Sequence, residues 1–102
     1  MRNLNLSRID NDAFFDFENL EELNLSYNKL TKIESNSFQH LNKLKKLYLI
    51  ENQIEQIDLN GFQGLENLEE LDLEYNNLTK IESNSFQHLN KLKKLVLSWN
   101  QI

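Results

Sequence analysis

Residues 20–43 read LEELNLSYNKLTKIESNSFQHLNK, and the same frame returns at residues 44–67 and 68–91. Each full unit follows LxxLxLxxNx[LI]xxIxxxxFxxLxx. A partial unit, residues 1–19, precedes them, and another, residues 92–102, follows. Asn28, Asn52, Asn76 and Asn100 stand 24 residues apart, as do Phe14, Phe38, Phe62 and Phe86. Ile9, Ile33, Ile57 and Ile81 keep the same step, and Leu20, Leu44, Leu68 and Leu92 open successive units. Fixed-period similarity of this length predicts stacked supersecondary units, none of which can bury its own apolar face. A longer period is superimposed: Leu20–Ile54 matches Leu68–Ile102 at 29 of 35 positions.

The alternation inside LxxLxLxx predicts a short strand with one buried face. Leu23 and Leu25 then point inward, while Glu22, Asn24 and Ser26 point outward. Copies of such a strand pair as a parallel sheet, about 4.8 Å apart. The return segment carries Ile33, Phe38 and Leu41 back into the same core. The asparagine column falls where the chain turns sharply and leaves inner backbone groups without partners. An amide side chain both donates and accepts, so a column of them can satisfy those groups. Asn67, by contrast, is expected to be exposed.

A length of 102 residues allows one domain, spanning residues 1–102. The net charge of −5 disfavours a nucleic-acid partner. No run of about eighteen apolar residues exists to insert into a membrane. The lack of cysteine removes disulfides and thiolate chemistry. His40 and His88 are copies of one position, two units apart, and read as solvated surface groups. No nucleophile–histidine–acid set can be assembled on one face, so no enzyme and no cofactor are expected.

The pattern resembles the 24-residue "typical" subtype of the leucine-rich-repeat family, over nearly the whole chain. The subtype is found in ectodomains of Toll-like receptors, small proteoglycans, Slit-like proteins and lamprey variable lymphocyte receptors. The resemblance implies an α/β solenoid: a curved horseshoe segment with parallel short strands on the concave face and loops and 3₁₀ turns on the convex face. It implies recognition of a protein ligand, an extracellular or cell-surface location and a receptor-like role of the innate-immunity kind. Sequons at Asn5, Asn24 and Asn77 fit that location. Two departures stand out. The cysteine-rich caps of such ectodomains are missing, and Glu34, Asp58 and Glu82 occupy places where the family often has proline.

Outward positions form columns. Glu22, Lys46, Glu70 and Lys94 alternate in sign, as do Glu21, Lys45, Glu69 and Lys93, and read as solvent-facing ladders. The remaining columns vary, and they carry the candidate partner-binding residues: Asn24, Tyr27, Tyr48, Ile50, Glu51, Asp72, Glu74, Tyr75 and Trp99. Exposed tyrosine and tryptophan are common interface anchors. At the open ends, Phe14 and Phe17 match core positions, whereas Phe15 stands where the next unit has Gln39. Apolar ends imply a slice of a longer array, or end-to-end self-association. The alternative to a recognition module is thus a structural or adhesive spacer acting through its ends.

Overall fold

The computed structural model describes residues 2–82 and 84–102. Each LxxLxL segment gives one short strand: β1 (Glu22–Asn24), β3 (Lys46–Tyr48), β5 (Glu70–Asp72) and β6 (Lys94–Val96). They form one parallel sheet in the order β1-β3-β5-β6. The register is that of the repeat, with Leu23 opposite Leu47, Leu47 opposite Leu71 and Leu71 opposite Leu95. Backbone pairing continues past the strands, because Tyr27 N donates to Ile50 O at 2.8 Å and Tyr75 N to Ser98 O at 3.0 Å.

The return segments contain turns and no helix among the described residues. Ser37 N donates to Glu34 O, Leu41 N to Phe38 O and Leu44 N to Leu41 O, each bond closing a separate turn. These i→i+3 bonds are of the 3₁₀ type expected there, and none extends into a helix among the described residues. An unanticipated second sheet pairs β2 (Lys32–Ile33) with β4 (Gln56–Ile57) in parallel. No helix is long and apolar enough to cross a membrane.

The asparagine column behaves as the turn requires. Asn52 Nδ2 donates to Leu25 O at 3.1 Å and Leu49 O at 3.2 Å, and its Oδ1 accepts from Leu30 N at 3.1 Å. Asn76 repeats the pattern on Leu49 O, Leu73 O and Ile54 N. Each amide therefore ties its own unit to the preceding one. In the first unit Leu4 fills the asparagine slot, and Leu4 N and Leu6 N both donate to Asn28 Oδ1. Behind this column the phenylalanines stack, with centroids 6.0 Å apart for Phe14–Phe38, 6.2 Å for Phe38–Phe62 and 5.9 Å for Phe62–Phe86.

Gly64 stands where its sister units have histidine, and its φ of 98° lies in the left-handed region. A Cβ there would sit 3.0 Å from Gln39 O, so a side chain would crowd the backbone of the neighbouring unit.

Three expectations need correction. Phe17 does not join the core: it is 48% exposed and meets Phe14 edge-on at 6.4 Å. Its counterparts Leu41 and Leu65 are fully buried, each with a preceding unit stacked against it, a cover that Phe17 lacks. Asn67 is half-buried, donating to Asn42 O at 2.6 Å and accepting from Lys91 Nζ at 2.7 Å. Ile81, in step with the buried Ile9 and Ile33, is exposed, and no later return segment among the described residues lies against it.

Candidate functional site

Outward strand positions project from the four-stranded sheet in register. Glu22 lies opposite Lys46, Lys46 opposite Glu70 and Glu70 opposite Lys94, so opposite charges neighbour each other on every step. Among the described residues, the pair in these ladders that reaches ion-pair distance is Lys93 Nζ–Glu69 Oε1, at 3.9 Å. Both groups are largely solvated, so the ladders contribute little to stability.

The next column holds Asn24, Tyr48, Asp72 and Val96 side by side. Asn24 Oδ1 accepts from Ser26 N at 2.9 Å, and Asp72 Oδ1 from Glu74 N at 3.0 Å. These two side chains therefore also fasten the turn that follows their own strands. Tyr48 stands between them. Burial, reinforced by the neighbouring Glu70 carboxylate, raises its hydroxyl pKa above the ordinary value. The phenol therefore stays protonated and able to donate.

One step further the column divides. Ile50 and Glu74 are half-buried and Ser98 is exposed, but Ser26 is closed off at 1% exposure. Its expected outward position is corrected by Ser26 Oγ, which accepts from Ile50 N at 3.0 Å.

Tyr27, Glu51, Tyr75 and Trp99 lie beyond the strands, at the bend that precedes each asparagine. They make a rim along the sheet. All four have positive φ, between 55° and 60°, and Asn3 occupies the same place in the first unit with φ 61°. Asparagine and glycine tolerate this conformation, whereas other residues pay roughly 1–2 kcal/mol each for it. The sequence nevertheless keeps three aromatic rings there, 40% exposed at Tyr27, 44% at Tyr75 and 68% at Trp99. Tyr75 and Trp99 stack with centroids 5.4 Å apart and planes within 3°. The Arg2 guanidinium lies 4.9 Å from the Tyr27 ring centre. The strand period gave no warning of this bend. A residue fixed directly before a turn-forming asparagine in every unit was the available signal.

The duplication within the chain sharpens the picture. Leu20–Ile54 and Leu68–Ile102 differ at six positions: Asn24/Asp72, Ser26/Glu74, Lys29/Asn77, Tyr48/Val96, Ile50/Ser98 and Glu51/Trp99. Five lie on the outward strand positions, in their extension or on the rim, and the sixth, Lys29/Asn77, directly follows the asparagine of the bend. The core columns and the whole return segment Leu30–Gln39 are identical to their copies.

The histidines do not meet. His40 is partly covered rather than solvated: Phe15 lies edge-on at 5.3 Å, and Nε2 is buried 3.7 Å from Asp12 Oδ1. His88 Nε2 lies 3.2 Å from Asn60 Oδ1. Among the described residues, no three acidic or histidine side chains converge to hold a metal ion.

A leucine rich repeat family model matches residues 1–54 and 42–102. Chaoptin of Tribolium castaneum is 43% identical over 53 residues, which are 52% of this chain and 7% of that protein. The structure of a TLR13–ssRNA13 complex superimposes with a TM-score of 0.92 at 38% identity, over 95% of this chain and 14% of that one. The glycosylated Toll–Spatzle complex, a molecular hub in Drosophila development and innate immunity, gives 0.85 at 28% identity, over 94% and 14%. The chain thus spans well under a fifth of the length of each of these relatives.

Proposed function

This chain belongs to the leucine-rich-repeat family, and on that footing we propose that its concave strand face and rim bind another protein. One observation carries the reading: between the two 35-residue copies, five of the six differences fall on the outward strand positions, their extension or the rim. The sixth, Lys29/Asn77, directly follows the rim bend, and the apolar core columns and the return segment do not change. A spacer would have no reason to vary one face alone. The contact residues are Asn24, Tyr27, Tyr48, Ile50, Glu51, Asp72, Glu74, Tyr75 and Trp99. They combine exposed aromatic anchors with carboxylates, a mixture suited to a basic or mixed protein surface.

A protein is favoured over a nucleic acid by the net charge of −5, although a similar structure holds single-stranded RNA. The likeness to Toll in complex with Spatzle supports a protein partner and a receptor-like role in innate immunity. That structure is of a glycosylated form, which with the sequons at Asn5, Asn24 and Asn77 favours an extracellular or cell-surface site. Recognition rather than catalysis is the role, with no cofactor, and the chain acts as one repeat domain within a longer array. End-to-end adhesion is the second reading, supported by the exposed Leu95 in β6 and the exposed Ile81 and Ile102.

A photoreactive phenylalanine analogue placed at Tyr48, or at the exposed Gln63 on the return side, separates the readings. Irradiation in native extract is expected to join a partner protein through position 48 and not through 63. Adducts at 63 alone, or only between copies of the chain through β6, would contradict face recognition.

A further inference from the structure

The rim row runs Asn3, Tyr27, Glu51, Tyr75, Trp99 in the order of the units, with Arg2 directly before its first member. Each tyrosine already carries a flat group on its outer side. The Arg2 guanidinium covers Tyr27 at 4.9 Å, and the Trp99 ring covers Tyr75 at 5.4 Å with its plane nearly parallel. Between the two tyrosines stands Glu51, exposed and short. Two strand steps separate Tyr27 from Tyr75, about 10 Å at the usual spacing. A planar cation midway would lie about 5 Å from each ring, within the range of cation–π attraction, and near the distance at which Arg2 already sits on Tyr27.

We propose that this interval is a side-chain pocket for an arginine of the partner protein, its guanidinium stacked between Tyr27 and Tyr75 and paired with the Glu51 carboxylate. This deepens the protein-recognition reading and rests on it. Three features converge on the arginine. The interval is bounded by π-faces, its base is anionic, and the chain itself shows a guanidinium taking the outer face of the same tyrosine. A carboxylate matches the two-pronged donor set of a guanidinium and gives an ammonium no such match. The duplication adds a contrast: where the first copy has Glu51, the second has Trp99, which supplies the stacked ring itself. The left-handed backbone at these positions holds the side chains out along the rim, in a conformation that asparagine would adopt with less strain.

The test titrates the full chain with acetyl-Gly-Arg-Gly-amide while amide resonances are followed by NMR. A citrulline version keeps the shape and removes the charge. Shifts are expected at Tyr27, Glu51 and Tyr75 with the arginine peptide and not with citrulline. Glu51→Gln should weaken binding about tenfold, the scale of one charge-assisted contact. Tyr27→Asn should abolish the shifts without lowering Tm, because asparagine accepts the left-handed backbone. Equal shifts with citrulline, shifts centred on the Glu22–Lys94 ladder, or unchanged binding by Glu51→Gln would overturn the pocket. The photo-crosslinking result at position 48 would stand unaffected by that failure.

Discussion

Phe62→Ala is expected to cost about 3–5 kcal/mol of folding stability, the usual range for removing a buried aromatic side chain. Phe62 is fully buried, with Phe38 stacked 6.2 Å away on one side and Phe86 5.9 Å away on the other. Truncation opens a gap in the middle of the column, and neither neighbouring ring can close it, because each is tied to its own unit. A domain this size holds about 5–15 kcal/mol in total, so the loss is a large share. Urea unfolding checks it, with Phe15→Ala as the comparison, since Phe15 is mostly exposed. Similar midpoints for the two variants would show that the column does not hold the units together.

Asn52→Leu is expected to cost about 2–4 kcal/mol, and Asn67→Leu less than about 1 kcal/mol. Leucine keeps the bulk of Asn52 but none of its three hydrogen bonds. Leu25 O and Leu49 O each retain another amide donor, from Asn28 and Asn76 respectively. Leu30 N keeps no replacement for the Asn52 Oδ1 it meets in the buried turn, and an orphaned buried N–H alone costs about 1–3 kcal/mol. Asn67 also bonds across units, but at the surface, where water replaces lost partners. Equal urea midpoints for the two variants would contradict the role given to the asparagine column.

These two columns were legible in the sequence because their jobs repeat every 24 residues and their chemistry is unambiguous. Phenylalanine at a fixed step has to be buried somewhere, and asparagine before an apolar position has to serve a turn. Phe17 misled for a local reason: it keeps the apolar step, but no unit among the described residues stacks over it as one does over Leu41 and Leu65. Ser26 misled because alternation says which way a side chain leaves the strand, not whether the next unit closes over it. A hydroxyl is small enough to be covered and can accept from the neighbouring strand, as Ile50 N shows.

The candidate site was half visible. Asn24, Tyr48 and Asp72 stand on neighbouring strands as the alternation required. Tyr27, Glu51, Tyr75 and Trp99 were selected for their residue types, yet they belong to a bend with left-handed backbone. That conformation is set by the turn and its asparagine, and a period-two pattern carries no trace of it. The second sheet on the return side was equally hidden, since two-residue strands such as Lys32–Ile33 are too short to show alternation.

Two kinds of column thus stand in the fold, inner ones that hold the units together and outer ones that carry the proposed partner contacts. The most direct measurement combines Tyr48→Ala with Tyr75→Ala and follows both thermal unfolding and capture of the protein that cross-links through position 48. Capture lost with the unfolding transition nearly unmoved is the predicted result. Capture retained at full strength in the folded double variant would contradict recognition on this face.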